Sequence, residues 1–591
     1  MHLVKVTKGR MSSSLLADEA ETKNHLRSYR VLGVPIWGAG CALVLLAAIL
    51  VAHPYAEVGI SDDFSYIRIA QVLAQTGHVA YTGWVTPILG WQLYLAALFI
   101  KLFGFSFTTT RASIMFVSVV TAFLCQRTFV RAGVNEWNAS IGTLTLLLSP
   151  LLMPLEVTYM TDIPGLFATI LCLYACLRGI QSGTSRGAIA WIGSAALSNV
   201  AFGSSRQIAW LAGLVMVPSA LWILRKNRRV VMIGFGFWIL SAALIFGINH
   251  WFEHQPYTQV EPLIDHRIYA QTLYHFSEEM LRACFEVVLL LLPVLLMFLP
   301  ALWRKRHPWQ VYLAGILFVL GGLRVWQIGE AGSWSAPYLG GVLQSIYLGR
   351  LRPVSTVAVA FCILALLTAV LTRREGSVAS CGEAPCVSNR MIGILIVPFL
   401  LAYLGLISPR AGFEGIWDRY LVPLLFVGLI FVLRFYQQRF RTRVPVAALV
   451  LALCFGAYAT ASLHDRMAMY RARAGAVNEV LATGVPATSI SGGWDYDGWT
   501  ELQLSSHIID HRMRMPPGMT LPKPTHYGLA DCPWFYCNMF PHVVPYYTIS
   551  LRPDPIPGSS FAPVPYRTWV DPPGTVYVVR FPDRSVGGHV P

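Results

Sequence analysis

The run VLGVPIWGAGCALVLLAAILVA, Val31 to Ala52, holds no Asp, Glu, Lys, Arg or His. A helix needs about 20 mostly apolar residues to cross the hydrocarbon core of a bilayer, so this run reads as a membrane span. Comparable runs recur as far as Leu463. The composition agrees. Of 591 residues 55% are hydrophobic and only 13% charged, with a mean hydropathy of +0.54, whereas a soluble domain carries about 25% charged residues. Too little charge remains to cover a water-facing surface, and disorder, collagen and coiled coil are excluded by the same numbers. The chain reads as an α-helical polytopic membrane protein.

Its net charge of +15, from 45 basic and 30 acidic residues, does not point to nucleic acid. The basic residues cluster between apolar runs, as in Arg225, Lys226, Arg228 and Arg229, in Arg304 to Arg306, in Arg373 and Arg374, and in Arg439, Arg441 and Arg443. That is the positive-inside pattern, which reports orientation. Combined with the apolar runs it predicts about thirteen spans: 31–52, 112–130, 139–160, 163–179, 187–203, 207–224, 230–249, 282–302, 309–327, 354–372, 391–409, 420–436 and 444–462. Residues 1–30 are then a cytoplasmic segment, 31–462 the transmembrane domain with an outer loop at 53–111, and 463–591 an extracytoplasmic C-terminal domain. The tail alternates β-prone pieces such as Thr575–Val579 with prolines and glycines, which predicts a small α/β or mostly β unit. Thr86–Gly104 is apolar enough to span, but a crossing there would invert every later basic loop. It therefore reads as an interfacial helix. No cleavable signal peptide is expected, and the eleven cysteines show no zinc spacing.

Ionisable residues avoid the middle of the predicted spans, and Glu156, Arg282, Glu286 and Arg324 fall near their outer ends. A proton-coupled transporter would bury a carboxylate at the midplane. The chemistry is therefore expected at the outer boundary, where three acidic positions stand out. Asp62 and Asp63 lie in Gly59-Ile60-Ser61-Asp62-Asp63-Phe64-Ser65-Tyr66 and open an amphipathic helix that ends near Gly77. Asp162 sits in the tight turn Tyr159-Met160-Thr161-Asp162-Ile163-Pro164. A helix-capping role explains each equally well, and a cap also fixes the direction of a carboxylate.

The order of these features resembles the GT-C glycosyltransferases, most closely the ArnT/protein O-mannosyltransferase-like branch. The resemblance rests on the Asp-Asp pair after the first span, the helix with Tyr66, and the Pro-containing interfacial helix ending Leu102-Phe103-Gly104. It rests further on Arg111, on Thr161-Asp162-Ile163-Pro164, on Gly203-Ser204-Ser205-Arg206-Gln207, and on Trp417-Asp418-Arg419-Tyr420-Leu421-Val422-Pro423. It implies a polyprenyl-phosphate-linked sugar as donor and an extracytoplasmic acceptor (glycan, lipid or protein). The lack of eukaryotic sorting signals points to a bacterial inner or plasma membrane. The His250–Met280 loop and the tail after His464, the places that would select an acceptor, are not covered by the resemblance in detail.

Such a reaction needs a base near the acceptor and cations near the departing phosphate. By the resemblance Asp62 is the base, with Asp63 and Asp162 orienting the acceptor or holding the base, and Tyr66 close to the acceptor. Cations facing outward are Lys101, Arg111, Arg206, Arg267, Arg324, Arg350, Arg352, Arg410 and Arg419. Arg206, Arg111, Arg419 and Lys101 are the candidates for the phosphate, since an Arg fork matches phosphate oxygens. A snorkelling role remains open for Arg206, and Arg419 has Asp418 and Glu414 as alternative partners. No cofactor or metal is implied. Gly492-Gly493-Trp494-Asp495-Tyr496-Asp497-Gly498-Trp499 reads either as a sugar- or cation-binding loop or as a glycine-rich turn over a small core. Cys532 and Cys537 are placed to form a disulfide in an oxidising compartment. Two other functions compete with the transferase: a flippase for lipid-linked saccharide and a non-catalytic envelope-assembly protein.

Overall fold

The computed structural model describes residues 30–31, 34–84, 90–259, 271–303, 352–371, 387–412, 416–440, 443–510, 513–516, 539–553 and 561–580, with isolated positions between 312 and 323. The chain is mostly helical. Its helices are α1 (Ile36–Val51), α2 (Asp63–Thr76), α3 (Trp91–Phe103), α4 (Phe107–Arg131), α5 (Glu136–Leu147), α6 (Leu152–Val157), α7 (Asp162–Ile180), α8 (Ser185–Gly203) and α9 (Trp210–Ile223). There follow α10 (Arg228–Glu253), α11 (Gln271–Leu290), α12 (Leu292–Leu295), α13 (Arg352–Leu371), α14 (Asn389–Ile407), α15 (Val422–Arg439), α16 (Val446–Ala482) and α17 (Trp494–Ser505).

Among the described residues six helices are long and apolar enough to cross a membrane, and a bent pair, Phe276–Leu290 with Leu292–Pro300, makes a seventh. Four shorter apolar helices accompany them, so an integral membrane protein stands while the count of thirteen is not reproduced. The physical reasons are local. The predicted span 139–160 is interrupted at Ser149-Pro150, where Leu152 N–H donates to Ser149 Oγ at 3.3 Å and Pro150 has no N–H to give. The span predicted at 282–302 bends by 67° next to Pro293. The one predicted at 309–327 lies largely outside the described residues.

The stretch read as an interfacial helix forms α3. At 13 residues α3 is too short to span, and Tyr94, Leu98 and Leu102 form one exposed apolar stripe. Its other face is stapled to the turn after α8. Trp91 Nε1 donates to Phe202 O at 2.8 Å, and Ser205 Oγ donates to Gln92 Oε1 at 2.5 Å. The amphipathic helix α2 does end at Gly77, whose φ of 78° makes it a left-handed C-terminal cap.

The last long helix, α16, is continuous for 37 residues, about 55 Å. It therefore leaves any bilayer and becomes the spine of the C-terminal region, running through position 463 without a break. Ala472, Ala476, Val477 and Val480 on its far half pack against Ile490, Val576 and Val578. Those residues belong to a four-stranded sheet of β1 (Ile490–Ser491), β2 (Tyr547–Ser550), β3 (Val564–Tyr566) and β4 (Gly574–Arg580), in the order β1-β2-β4-β3. The first pair is parallel and the others are antiparallel, with Tyr547 opposite Arg580 and Tyr566 opposite Gly574.

Candidate active site

Asp62 precedes the first residue of α2, and Ser61 before it holds φ at 55°, a left-handed conformation that costs a non-glycine residue about 1–2 kcal/mol. From this turn the two successive carboxylates go to different partners. Asp63 enters the core. Its Oδ2 accepts from Arg111 Nε at 2.8 Å and from Tyr159 N–H at 3.4 Å, and its Oδ1 accepts from Ile60 N–H at 2.7 Å and Arg111 Nη2 at 3.3 Å. Arg111 also donates to the carbonyls of Ala56 and Val58, and both side chains are fully buried. Burial pushes the Asp63 carboxyl up, and the guanidinium and the two backbone N–H groups pull against it.

Asp62 stays half-buried at the surface of this knot. It makes no side-chain capping bond to α2. Two indole N–H groups hold it instead: Trp84 Nε1 at 3.0 Å and Trp494 Nε1 at 2.9 Å, both on Oδ1. Among the described residues no donor sits on Oδ2. Trp494 opens α17, and its ring meets Trp84 edge-on at 4.6 Å and Phe64 at 5.9 Å. Close approach makes this docking possible. A Cβ on Gly498 would lie 2.4 Å from the Phe64 ring, so glycine is needed there for contact rather than for conformation.

Asp162 opens α7, also without capping it, and pairs with Arg206. Arg206 lies across the helix at Gly165, where a Cβ would come within 2.9 Å of its Cδ. Asp162 Oδ2 has no hydrogen-bond partner among the described residues. The Arg206 guanidinium sits 5.4 Å over the Tyr420 ring, which Arg410 and Arg419 also face at 5.6 and 6.0 Å. Tyr420 is fixed from two sides: Arg410 Nη1 donates to its hydroxyl at 3.1 Å, and the Tyr403 hydroxyl donates to its carbonyl at 2.7 Å. Asp162, Thr169, Arg206, Tyr403 and Arg419 line one cavity.

Tyr66 joins the two halves. It is buried, burial pushes its phenol up, and the charges that reach it are those of Arg419, Asp62, Asp162 and Arg206. Of the residues read from the sequence, Asp162, Arg206 and Arg419 line one cavity, and Tyr66 lies within electrostatic reach of all three and of Asp62. Three do not join them as free groups. Asp63 and Arg111 pair in the core, where Arg111 makes four hydrogen bonds, to Asp63 and to the Ala56 and Val58 carbonyls, and is fully buried; this corrects its reading as a phosphate ligand, because no surface of it is left to meet one. Lys101 is exposed in the last turn of α3, with no contact to the cluster among the described residues. Arg282 is buried among Glu279, Glu286 and the Ile416 carbonyl. Arg267, Arg324, Arg350, Cys532 and Cys537 lie outside the described residues.

Sequence reasoning did not find the two indole donors. The glycine-rich aromatic stretch was the signal for one of them, and its neighbours show why it is so ordered. Asp495 pairs with Arg473 at 2.7 Å, and Asp497 accepts from Ser491 Oγ and Gly492 N–H at 2.8 and 2.9 Å. Glu57 was also missed; its carboxylate accepts from Phe107 and Thr108 N–H and so anchors the start of α4. Among the described residues no group of three His, Cys, Asp or Glu side chains is placed to hold a metal.

No family model matches the chain, and no curated protein matches it. Solved structures do. ArnT from Cupriavidus metallidurans bound to undecaprenyl phosphate aligns with a TM-score of 0.39 and 14% identity over 78% of this chain and 84% of that one. The apo state of the same protein gives 0.37 and 15% over the same shares. Arabinosyltransferase EmbB from Mycobacterium smegmatis gives 0.32 and 14%, over 77% of this chain and 42% of that one. All three likenesses stand at 15% identity or below.

Proposed function

We propose that the protein is an integral membrane glycosyltransferase that moves one sugar from a polyprenyl-phosphate donor to an extracytoplasmic acceptor by a single inverting displacement. The observation that carries this reading is the state of Asp62. One oxygen is immobilised by two indole N–H groups, the other is open, and the carboxylate shares the neighbourhood of Tyr66 with Asp162, Arg206 and Arg419. An open carboxylate oxygen on a fixed carboxyl is what a general base requires.

In the proposed step the acceptor O–H or N–H gives its proton to Asp62 Oδ2 as its heteroatom bonds to the anomeric carbon. The bond from that carbon to the phosphate oxygen breaks with its electron pair, and the charge gathers on the polyprenyl phosphate. Arg206 and Arg419, held over Tyr420, face that charge. Asp162 keeps Arg206 aimed, and its second oxygen remains for an acceptor hydroxyl. The apolar stripe of α3 and the neighbouring spans suit a donor whose tail stays in the bilayer while its phosphate sits at the boundary.

Mass spectrometry of envelope glycans and lipids from cells with and without the protein tests the reading. Loss of one sugar residue from a single species is expected, and restoration by the native protein but not by Asp62→Asn. Unchanged glycans, or full rescue by Asp62→Asn, would end it.

A further inference from the structure

The hairpin β3–β4 reaches down α16 toward its apolar half. Its body packs on Ala472 to Val480, while its connecting loop touches the helix at 464–465. There Asp465 accepts three successive amides, from Trp569, Val570 and Asp571 at 2.6, 2.8 and 3.0 Å, and the His464 ring stacks on Trp569 at 3.9 Å and 9°. The loop is therefore pinned at a fixed height on the helix.

That height can be measured in two ways. His464 stands 18 residues past Val446, about 27 Å along the axis, against a hydrocarbon core of ~30 Å. From above, Arg471, about 10 Å further along the helix, donates to the carbonyls of His53 and Tyr55, just beyond the end of α1. The first ruler puts the loop near the edge of the hydrocarbon, and the second puts it on the membrane side of the residues that follow α1, so the loop faces the outer layer of the bilayer. Yet the pinned loop turns its apolar residues outward: Trp569 is 57% and Val570 47% exposed, beside an exposed Arg567. Indoles prefer that layer, with the ring among acyl chains and the N–H among headgroups.

From this we propose that the 567–571 loop is a membrane-contact site that seats the C-terminal domain on the bilayer crossed by α16, with Trp569 and Val570 entering the interface. The occupant of this exposed patch is the lipid surface rather than another protein. The inference is independent of the proposed transfer reaction, because it uses only the span, the sheet register and the pinned loop.

A benzophenone amino acid in place of Trp569, in the full-length protein reconstituted into phosphatidylethanolamine and phosphatidylglycerol vesicles, provides the test. Tyr546 is the control. It is exposed, and its neighbour Tyr547 pairs with Arg580, about 20 Å up the strand from Gly574. Irradiation should give lipid adducts at 569 in several-fold excess over 546. Equal yields at the two positions, or adducts at 546 alone, would overturn the proposal. If the 569 variant does not fold, the same probe at Val570 must show the same excess, and its failure to do so counts equally against the proposal.

Discussion

Trp494 and Asp62 stand 432 residues apart in the chain, and the indole N–H of the first donates to the carboxylate of the second at 2.9 Å. The C-terminal region thus supplies part of the support for the proposed base. Trp494→Phe keeps the ring packing on Phe64, Trp84 and Phe540 but removes the donor. Transfer should fall about tenfold or more in kcat with KM for the donor little changed, as expected for a misdirected base. Asp62→Asn should fall by about 10²–10⁴. Steady-state rates on purified protein check both, and a KM effect without a kcat effect would contradict the positioning role.

The Asp63–Arg111 pair should behave as a structural element. Removing one partner leaves a charge buried without its counterion, which costs about 3–5 kcal/mol. Asp63→Asn and Arg111→Met should each lower the thermal midpoint in detergent sharply, measured by intrinsic fluorescence. A donor-binding role for Arg111 would instead leave the midpoint in place and raise KM.

Arg206 should show the opposite pattern. Its side chain is partly exposed and faces the cavity, and Arg206→Lys keeps a positive charge beside the buried Asp162 carboxylate, so this variant should fold normally while losing the guanidinium fork. The loss of a charge-assisted contact to phosphate, about 1.5–3 kcal/mol, corresponds to roughly 10- to 100-fold weaker use of the lipid donor. Titration with the polyprenyl-phosphate donor reads this directly.

Asp497 carries a pH signature. Burial pushes its carboxyl up to about 7, against the Ser491 and Gly492 hydrogen bonds that favour the anion. An acid raised in the folded state binds its proton more tightly there than when unfolded. Its stabilising contribution is therefore complete below about pH 4 and is lost as pH climbs through about 7, a swing on the order of 4 kcal/mol. Asp497→Asn should remove that slope between pH 5 and 8 in thermal unfolding scans and make the protein more stable than the native chain at the alkaline end.

What the sequence shows plainly is what local pattern encodes. Asp62, Asp162, Arg206 and Arg419 are polar residues in short turns between apolar runs, so their place at the ends of helices follows from the spacing of the runs. Long-range partners leave no such trace. An arginine at a helix mouth looks the same whether it faces a ligand or is matched by an aspartate 48 residues earlier, and so Arg111 was misread. The Asp62–Trp84 and Asp62–Trp494 contacts depend on tertiary docking that no window of residues displays. Counting apolar runs likewise misses breaks such as Ser149-Pro150, because hydropathy does not register a missing N–H.

The unbroken rod from Val446 to Ala482 has a practical corollary for engineering. Exchanging the tail for that of another protein at the water boundary would cut a single stiff member mid-length and set the graft at an arbitrary rotation, about 100° for each residue of misalignment. A chimera joined at Pro445 instead would carry the rod, the hairpin it supports and Trp494 together, and would leave the phase of the helix intact.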